Sequence, residues 1–253
     1  MTFPVYIRVL GLAIHPHPLF EGLGYLAGAR LYFRARGRER APRQSADQTA
    51  WLFLGCLAGA LLGAKLMAWT ESASFYARAL SHPSILLTGK SIVGGILGGW
   101  AGAEVAKACL GNKESVGDAF VPALVAGTAI GRIGCFLTGL SDDTYGIPTR
   151  LPWGVDFGDG IRRHPTQVYE IIFVLAAGAA LHALRGRLRV KGELFRAYVA
   201  AYLAFRFLVE FIKPREIVLA GLSAIQVASA AGAAISLLSW ARLHRAAGAT
   251  PHV

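Results

Sequence analysis

The chain alternates long apolar runs with short polar joints. Apolar residues dominate at about 18–33, 51–69, 85–109, 117–138, 165–184, 194–213 and 217–241. Most of these runs reach the ~17–25 residues that a helix needs to cross a ~30 Å hydrocarbon core. The first is short and carries Glu21 and Arg30, so it is the least apolar of the set. Strand-type alternation over ten-residue segments, the mark of a membrane barrel, is missing. The pattern predicts an all-α, polytopic membrane protein with about seven transmembrane helices, forming a single domain over 1–253. No internal repeat of the kind found in inverted-repeat transporters is visible.

Composition sharpens this picture. AVILMFWYC make up 54% of the chain and DEKR only 16%, against ~25% charged residues in a soluble domain; mean hydropathy is +0.46. These values exclude a disordered chain, a basic nucleic-acid module and an ordinary cytosolic enzyme. The net charge of +11 is then a topology signal, because Lys and Arg collect in loops that face the cytoplasm and its anionic lipid. Arg34, Arg36, Arg38, Arg40, Arg43, Lys107, Lys113, Arg185, Arg187, Arg189, Lys191, Arg242 and Arg245 fall on one face. That is about thirteen basic residues against about seven opposite, which puts the N-terminus outside and the C-terminus in the cytoplasm. The 34–43 run itself reads as a solvated linker. The first residues lack the ordered regions of a cleavable signal peptide. Cys56, Cys109 and Cys135 lie in or beside apolar stretches, so neither a disulfide framework nor a CxxC metal site is expected.

The longest polar interruption, 139–164, falls on the outer face. Gly146, Pro148, Pro152, Gly154, Gly158 and Gly160 punctuate turns there, interleaved with Tyr145, Trp153 and Phe157, which suit the headgroup level. So long and aromatic a loop is expected to fold over the outer mouth of the bundle.

Ionisable residues inside spanning helices are costly and point to function. Counting along each helix puts Glu21, Lys65, Arg132, Glu170, Arg206 and Glu210 in the outer half of the bilayer. One polar cavity opening toward the outer leaflet is the simplest account. Tyr202, Arg206 and Glu210 recur at i, i+4 and i+8, so they share a helix face, and Glu210 is expected to form a structural ion pair with Arg206. A guanidinium keeps its charge when buried and grips phosphate oxygens bidentately. Arg132, flanked by Gly131 and Gly134, is the second such group; the glycines serve either a close ligand or ordinary helix packing. Two arginines near the headgroups suggest a phosphate site. Further along, Pro165 suits the first position of a helix and Glu170 lies near its positive end. His164 reads equally as a general base and as a hydrogen-bonding residue at the helix start.

Three segments carry a resemblance: Gly131-Arg132-Ile133-Gly134-Cys135-Phe136, then Arg163-His164-Pro165-Thr166-Gln167-Val168-Tyr169-Glu170, then Tyr202-Leu203-Ala204-Phe205-Arg206-Phe207-Leu208-Val209-Glu210. Their order and spacing resemble the prolipoprotein diacylglyceryl transferase family, from Gly22-Leu23-Gly24-Tyr25-Leu26 to the final span. The resemblance implies a bacterial inner-membrane enzyme of lipoprotein biosynthesis, without metal or other cofactor. Such an enzyme moves the diacylglyceryl group of phosphatidylglycerol onto the lipobox cysteine of a preprolipoprotein signal peptide and releases glycerol phosphate. Membrane lipid and signal peptide are then the partners, and nucleic acid is not. Carried over by motif, Arg132 and Arg206 hold the phosphate, with Tyr202, Gln167 and Glu170 shaping the site; with Lys65 added to the phospholipid-binding residues as a membrane-embedded cation and His164 as a candidate base, the expected catalytic set is His164, Tyr202 and Glu170.

The departures are specific. The histidine that the family carries before a Gly-Gly pair in helix three is here Val93, before Gly94 and Gly95. The asparagine after GRIG is Cys135, the acid that follows is Leu140, and the aromatic early in helix one is Glu21. Valine cannot accept a proton, so His164 or a carboxylate supplies the base, or the histidine is not essential, or the chain is a relative with a changed acceptor. The alternatives from other classes are a non-catalytic protein that binds phospholipid or signal peptide in the same cavity and a small-solute transporter, which broken helices or repeats would favour.

Overall fold

The computed structural model describes residues 3–38, 45–78, 83–112, 114–188 and 190–248. Arg40, Arg43, Lys113 and Arg189, four members of the basic loops, lie outside the described residues. The chain is mostly helical: α1 Pro16–Arg38, α2 Ala46–Glu71, α3 Ala73–Arg78, α4 Ile92–Cys109, α5 Val121–Thr138, α6 Thr166–Leu184, α7 Glu193–Val209 and α8 Ala224–Gly248. Four segments, Asp47–Glu71 in α2, Asp118–Asp142 comprising α5 and the 3-10 turns on either side of it, Thr166–Leu184 in α6 and Ala224–Arg245 in α8, are long and apolar enough to cross a membrane.

The helix starts follow from local chemistry. Ser45 and Gln48 close a reciprocal capping box at α2, with Gln48 N–H donating to Ser45 Oγ (3.1 Å) and Ser45 N–H to Gln48 Oε1 (3.3 Å). Ser223 and Gln226 repeat the arrangement at α8. The start of α7 is capped from another segment, where Asp118 accepts from Gly192 N (2.6 Å) and Phe195 N (2.9 Å). That bond ties the α4–α5 connection to the α6–α7 turn.

The structure departs from the apolar runs at several ends. The run at 217–241 becomes a helix only from Ala224, because Leu219 and Leu222 pair in a tight turn before it. Pro165 is the N-cap of α6 and not its first helical residue. Two short antiparallel hairpins interrupt the helical pattern, β1 Ile7–Val9 with β2 Leu12–Ile14, and β3 Val155–Asp156 with β4 Arg162–Arg163. Strands of two or three residues are too short to leave an alternation in the sequence.

Packing is pairwise: α2 against α4, α1 against α5, α7 against α8 and α5 against α6. The α2–α4 contact is built from backbone. Gly55, Gly59 and Gly63 face Gly94, Gly98 and Gly102, and a Cβ on any of the six would overlap the opposing helix. Small residues at this spacing let two membrane helices approach closely. Leu54, Leu57, Leu61, Leu62 and Leu66 of α2 are exposed, an apolar surface that a lipid environment requires. Val93, Val174, Tyr198, Val199, Tyr202, Leu203 and Ile225 form the centre of the core.

The 139–164 segment is a folded cap. Its 3-10 turn Gly139–Asp142 leads into the β3–β4 hairpin. Phe157, 2% exposed, plugs the cap onto the bundle against Phe3, Phe136 and Tyr145 at ring-centroid distances of 5.2, 5.8 and 6.2 Å. At its tip Arg163 Nη1 and Nη2 donate to Asp159 Oδ1 and Oδ2, both at 2.7 Å. The guanidinium holds the Asp159 carboxyl below the ordinary aspartate range.

Candidate functional site

Helices α5, α6 and α7 bring Arg132, Glu170, Tyr202 and Arg206 to one buried point. Glu170 is the hub. Its Oε2 lies 2.9 Å from Arg132 Nε and 3.1 Å from Arg206 Nη1, and its Oε1 accepts from the Tyr202 hydroxyl at 2.6 Å. Arg206 Nη2 lies 3.4 Å from Glu210 Oε2, the pair that the helical spacing predicts. Glu170 and Arg206 are almost fully buried, and desolvation at such depth makes these contacts strong and their loss costly. Glu71 and Lys213 act electrostatically on the same group.

The donors are not all used. Arg132 Nε meets Glu170 at ion-pair distance without hydrogen-bond alignment, and neither it nor Arg206 Nε has a hydrogen-bond partner among the described residues. Buried polar atoms normally find partners. Two guanidinia on either side of one carboxylate, with Arg206 Nε unpartnered, form a place where an anion gains charge-assisted hydrogen bonds. Gln167, 1% exposed, donates from Nε2 to Thr144 Oγ1 (3.1 Å), and its Oε1 likewise has no partner.

The other residues expected at this site lie apart from it. Lys65 donates to the carbonyls of Leu87, Thr88 and Gly89. An ammonium has three N–H donors, so all are spent holding the segment before α4 on α2, and the structure does not bring Lys65 to the arginines. His164 Nδ1 lies 3.1 Å from the Tyr169 hydroxyl, which also accepts from Trp153 Nε1 at 2.8 Å. No hydrogen bond or ion pair joins His164 to the Glu170 group among the described residues. It lines instead an apolar groove of about 690 Å³ with Phe136, Trp153, Val168, Ile172 and Ile212. The six membrane charges therefore do not form one connected set. Glu21 pairs with Lys90 and accepts from Tyr25 Oη at 2.6 Å. Val93, where the resemblance calls for a histidine, is fully buried in the core.

A second set was not legible in the sequence. His17 Nδ1 lies 2.5 Å from Asp142 Oδ1. Asp142 Oδ2 accepts from Thr144 Oγ1 at 2.7 Å, which connects it through Thr144 to Gln167. Cys135, one turn from Arg132 on α5, accepts from Arg132 Nη1 at 3.7 Å. Its sulfur, a His17 nitrogen and an Asp142 oxygen all lie within 4.8 Å of one another. The only hint in the sequence is polarity at 141–144 directly after an apolar run.

The family profile described as prolipoprotein diacylglyceryl transferase matches residues 4–242. A protein of Geobacter sulfurreducens named phosphatidylglycerol–prolipoprotein diacylglyceryl transferase is 34% identical over 224 residues, covering 83% of this chain and 82% of its own. Proteins of the same name from Bordetella bronchiseptica (32%, covering 83% and 82%) and Nostoc sp. (30%, covering 94% and 88%) are similar over comparable lengths.

Proposed function

The chain belongs to the prolipoprotein diacylglyceryl transferase family, and from that premise we propose that it transfers the diacylglyceryl group of phosphatidylglycerol to the lipobox cysteine of preprolipoproteins. The observation that carries this reading is the pair of guanidinia, Arg132 and Arg206, meeting at Glu170, with Arg206 Nε left without a hydrogen-bond partner among the described residues. Seven of the helices, α1, α2 and α4 to α8, span the bacterial inner membrane, with the N-terminus outside and the 139–164 cap on the outer face.

In the reaction the acceptor sulfur attacks the glyceryl carbon that carries the phosphodiester oxygen. The S–C bond forms, the C–O bond breaks, and glycerol phosphate leaves with the electron pair. Arg132 and Arg206 bind the phosphate and stabilise the charge that grows on it, which is the largest contribution such a site makes. Glu170, clamped by the Tyr202 hydroxyl, sets the angle between the two guanidinia and keeps the empty site near neutrality. Glu210 anchors Arg206 from the other side. The apolar groove beside His164 accommodates hydrocarbon, and His164 with Tyr169 and Trp153 forms its polar rim.

The test combines purified protein, phosphatidylglycerol vesicles and a lipobox peptide. Release of glycerol phosphate together with a diacylglyceryl mass increase on the peptide is the expected result. Lipid or peptide binding without either product would instead establish the non-catalytic relative, the reading to which the valine at position 93 points.

A further inference from the structure

Transfer to a thiol requires that the S–H proton go somewhere, and no histidine stands at position 93. We propose that His17, held by Asp142, is the group that accepts the proton of the acceptor thiol. The inference rests on the functional reading above and supplies the residue that this reading lacks.

The geometry supports it from several directions. Asp142 is the buried partner of the pair, its side chain 7% exposed against 35% for His17, so the ring is the accessible member and the carboxylate the shielded one. Both carboxylate oxygens are fixed, one by His17 Nδ1 and the other by Thr144. A carboxylate on Nδ1–H selects the tautomer whose free lone pair is on Nε2 and stabilises the imidazolium once Nε2 is protonated. Nε2 faces Glu21 Oε2 at 3.7 Å, longer than a hydrogen bond, so a thiol that reaches Nε2 displaces no hydrogen bond to Glu21.

The groups that face His17 come from every neighbouring element. They are Asp142 after α5, Cys135 within α5, Glu21 on α1 and His15 just before it, whose Nδ1 accepts from His17 N at 3.3 Å. Lys90, before α4, is paired with Glu21 and offsets its charge. Cys135 links this pair to the phosphate site through Arg132, so the proton acceptor and the phosphate-binding guanidinium flank one small volume.

A metal ion at His17, Cys135 and Asp142 is the competing use of the same atoms. Donors on a tetrahedral zinc at ~2.0–2.1 Å stand roughly 3.3 Å apart, whereas Nδ1 and Oδ1 are 2.5 Å apart, the separation of a hydrogen bond.

The step balances. The thiol proton passes to His17 Nε2 as the sulfur bonds to the glyceryl carbon, and the C–O electron pair leaves on the phosphate held by Arg132 and Arg206. The proton then leaves His17 with the departing glycerol phosphate or to water. His17 is a catalytic residue in this scheme and Asp142 a positioning residue.

The experiment measures glycerol phosphate release by wild type, His17→Gln and Asp142→Asn in phosphatidylglycerol vesicles, with a lipobox peptide carrying either cysteine or selenocysteine. Monodisperse elution and retained phosphatidylglycerol binding serve as the folding control. For the cysteine peptide, His17→Gln is expected to lower kcat by ~10²–10⁴-fold, the range for general acid–base catalysis. For the selenocysteine peptide, already ionised at neutral pH, the loss is expected to be much smaller. Asp142→Asn removes a charge that favours the imidazolium, so the acidic limb of its pH–rate profile is expected to move to lower pH, a change that a merely structural role would not produce. Wild-type rates in both variants, or equal losses with the two peptides, would overturn the proposal while leaving the transferase reading intact. Stoichiometric zinc in the purified wild-type protein would also overturn it. A wild type with no activity on either peptide would remove the functional reading and this proposal together.

Discussion

The Glu170 carboxylate lies 2.9 Å from the guanidinium Nε of Arg132. The same oxygen is 3.1 Å from Arg206 Nη1, so one negative charge is shared by two cations. An arrangement of this kind is stable when empty and still favours a second anion, because Arg206 Nε has no partner among the described residues and Arg132 Nη1 meets only the weak acceptor Cys135 Sγ. It also makes Glu170 the least replaceable residue of the site. Glu170→Gln keeps the shape and removes the charge, leaving two guanidinia that share a single ion pair, that of Arg206 with Glu210, among the described residues. Breaking a buried pair costs ~3–5 kcal/mol, so the variant is expected to show a clear drop in thermal midpoint in detergent, with activity falling in step. An unchanged midpoint would mean that Glu170 is not the structural hub of the cluster.

Arg132 and Arg206 differ in how they are tethered, and their lysine variants separate binding from charge. A lysine keeps the positive charge but loses the planar fork that holds two phosphate oxygens. Arg132→Lys and Arg206→Lys are each expected to reduce glycerol phosphate release by ~10²–10³-fold, the cost of removing one preorganised donor from a developing oxyanion. Arg206→Lys should also lower stability, since it abandons contacts with both Glu170 and Glu210. Activity within a few-fold of wild type in both variants would remove the phosphate from this site.

Part of this was readable in the sequence, for a physical reason. Tyr202, Arg206 and Glu210 lie on one helix, and the 3.6-residue period alone puts them on a common face. The structure keeps them there, with Glu210 and Arg206 paired. That Glu170 would complete the set, and Lys65 would not, depends on how α5, α6 and α7 cross, which no local pattern encodes. Lys65 and Arg132 look alike in sequence, each a cation flanked by small residues in an apolar run. What separates them is a stretch of open carbonyls at 87–89 within reach of Lys65. His17 and Asp142 leave no such signal, because neither sits deep in an apolar run. The two meet only because the Gly139–Asp142 turn folds back onto the start of α1.

The glycine contact between α2 and α4 is a stability element remote from the chemistry. A Cβ on Gly98 would overlap Gly59 O and come within 2.9 Å of Gly63 Cα. Backbone cannot rotate aside as a side chain can, so the two helices must separate. Gly98→Leu is expected to destabilise the protein by at least the ~1–3 kcal/mol typical of overpacking. Gly131→Ala, where the same addition meets nothing, is expected to be close to neutral. Detergent unfolding of the two variants checks the contrast, and equal midpoints would mean that α2 and α4 do not pack through these glycines.

The cap should loosen in acid. Asp159 has its carboxyl lowered by the Arg163 guanidinium, and a group whose folded-state pKa is depressed contributes stability that is present above its unfolded value, ~3.9 for aspartate. That contribution fades as pH falls through the lower folded value, when the carboxyl is protonated and Arg163 loses both 2.7 Å bonds. The pair is exposed, so its effect is local order of the hairpin and not global stability. Hydrogen exchange at 154–163, corrected for its intrinsic pH dependence, is expected to rise as pH drops below about 4. Asp159→Asn should show the elevated exchange already at neutral pH and no further acid step. Identical profiles for the two proteins would mean that the Asp159–Arg163 pair does not order the cap.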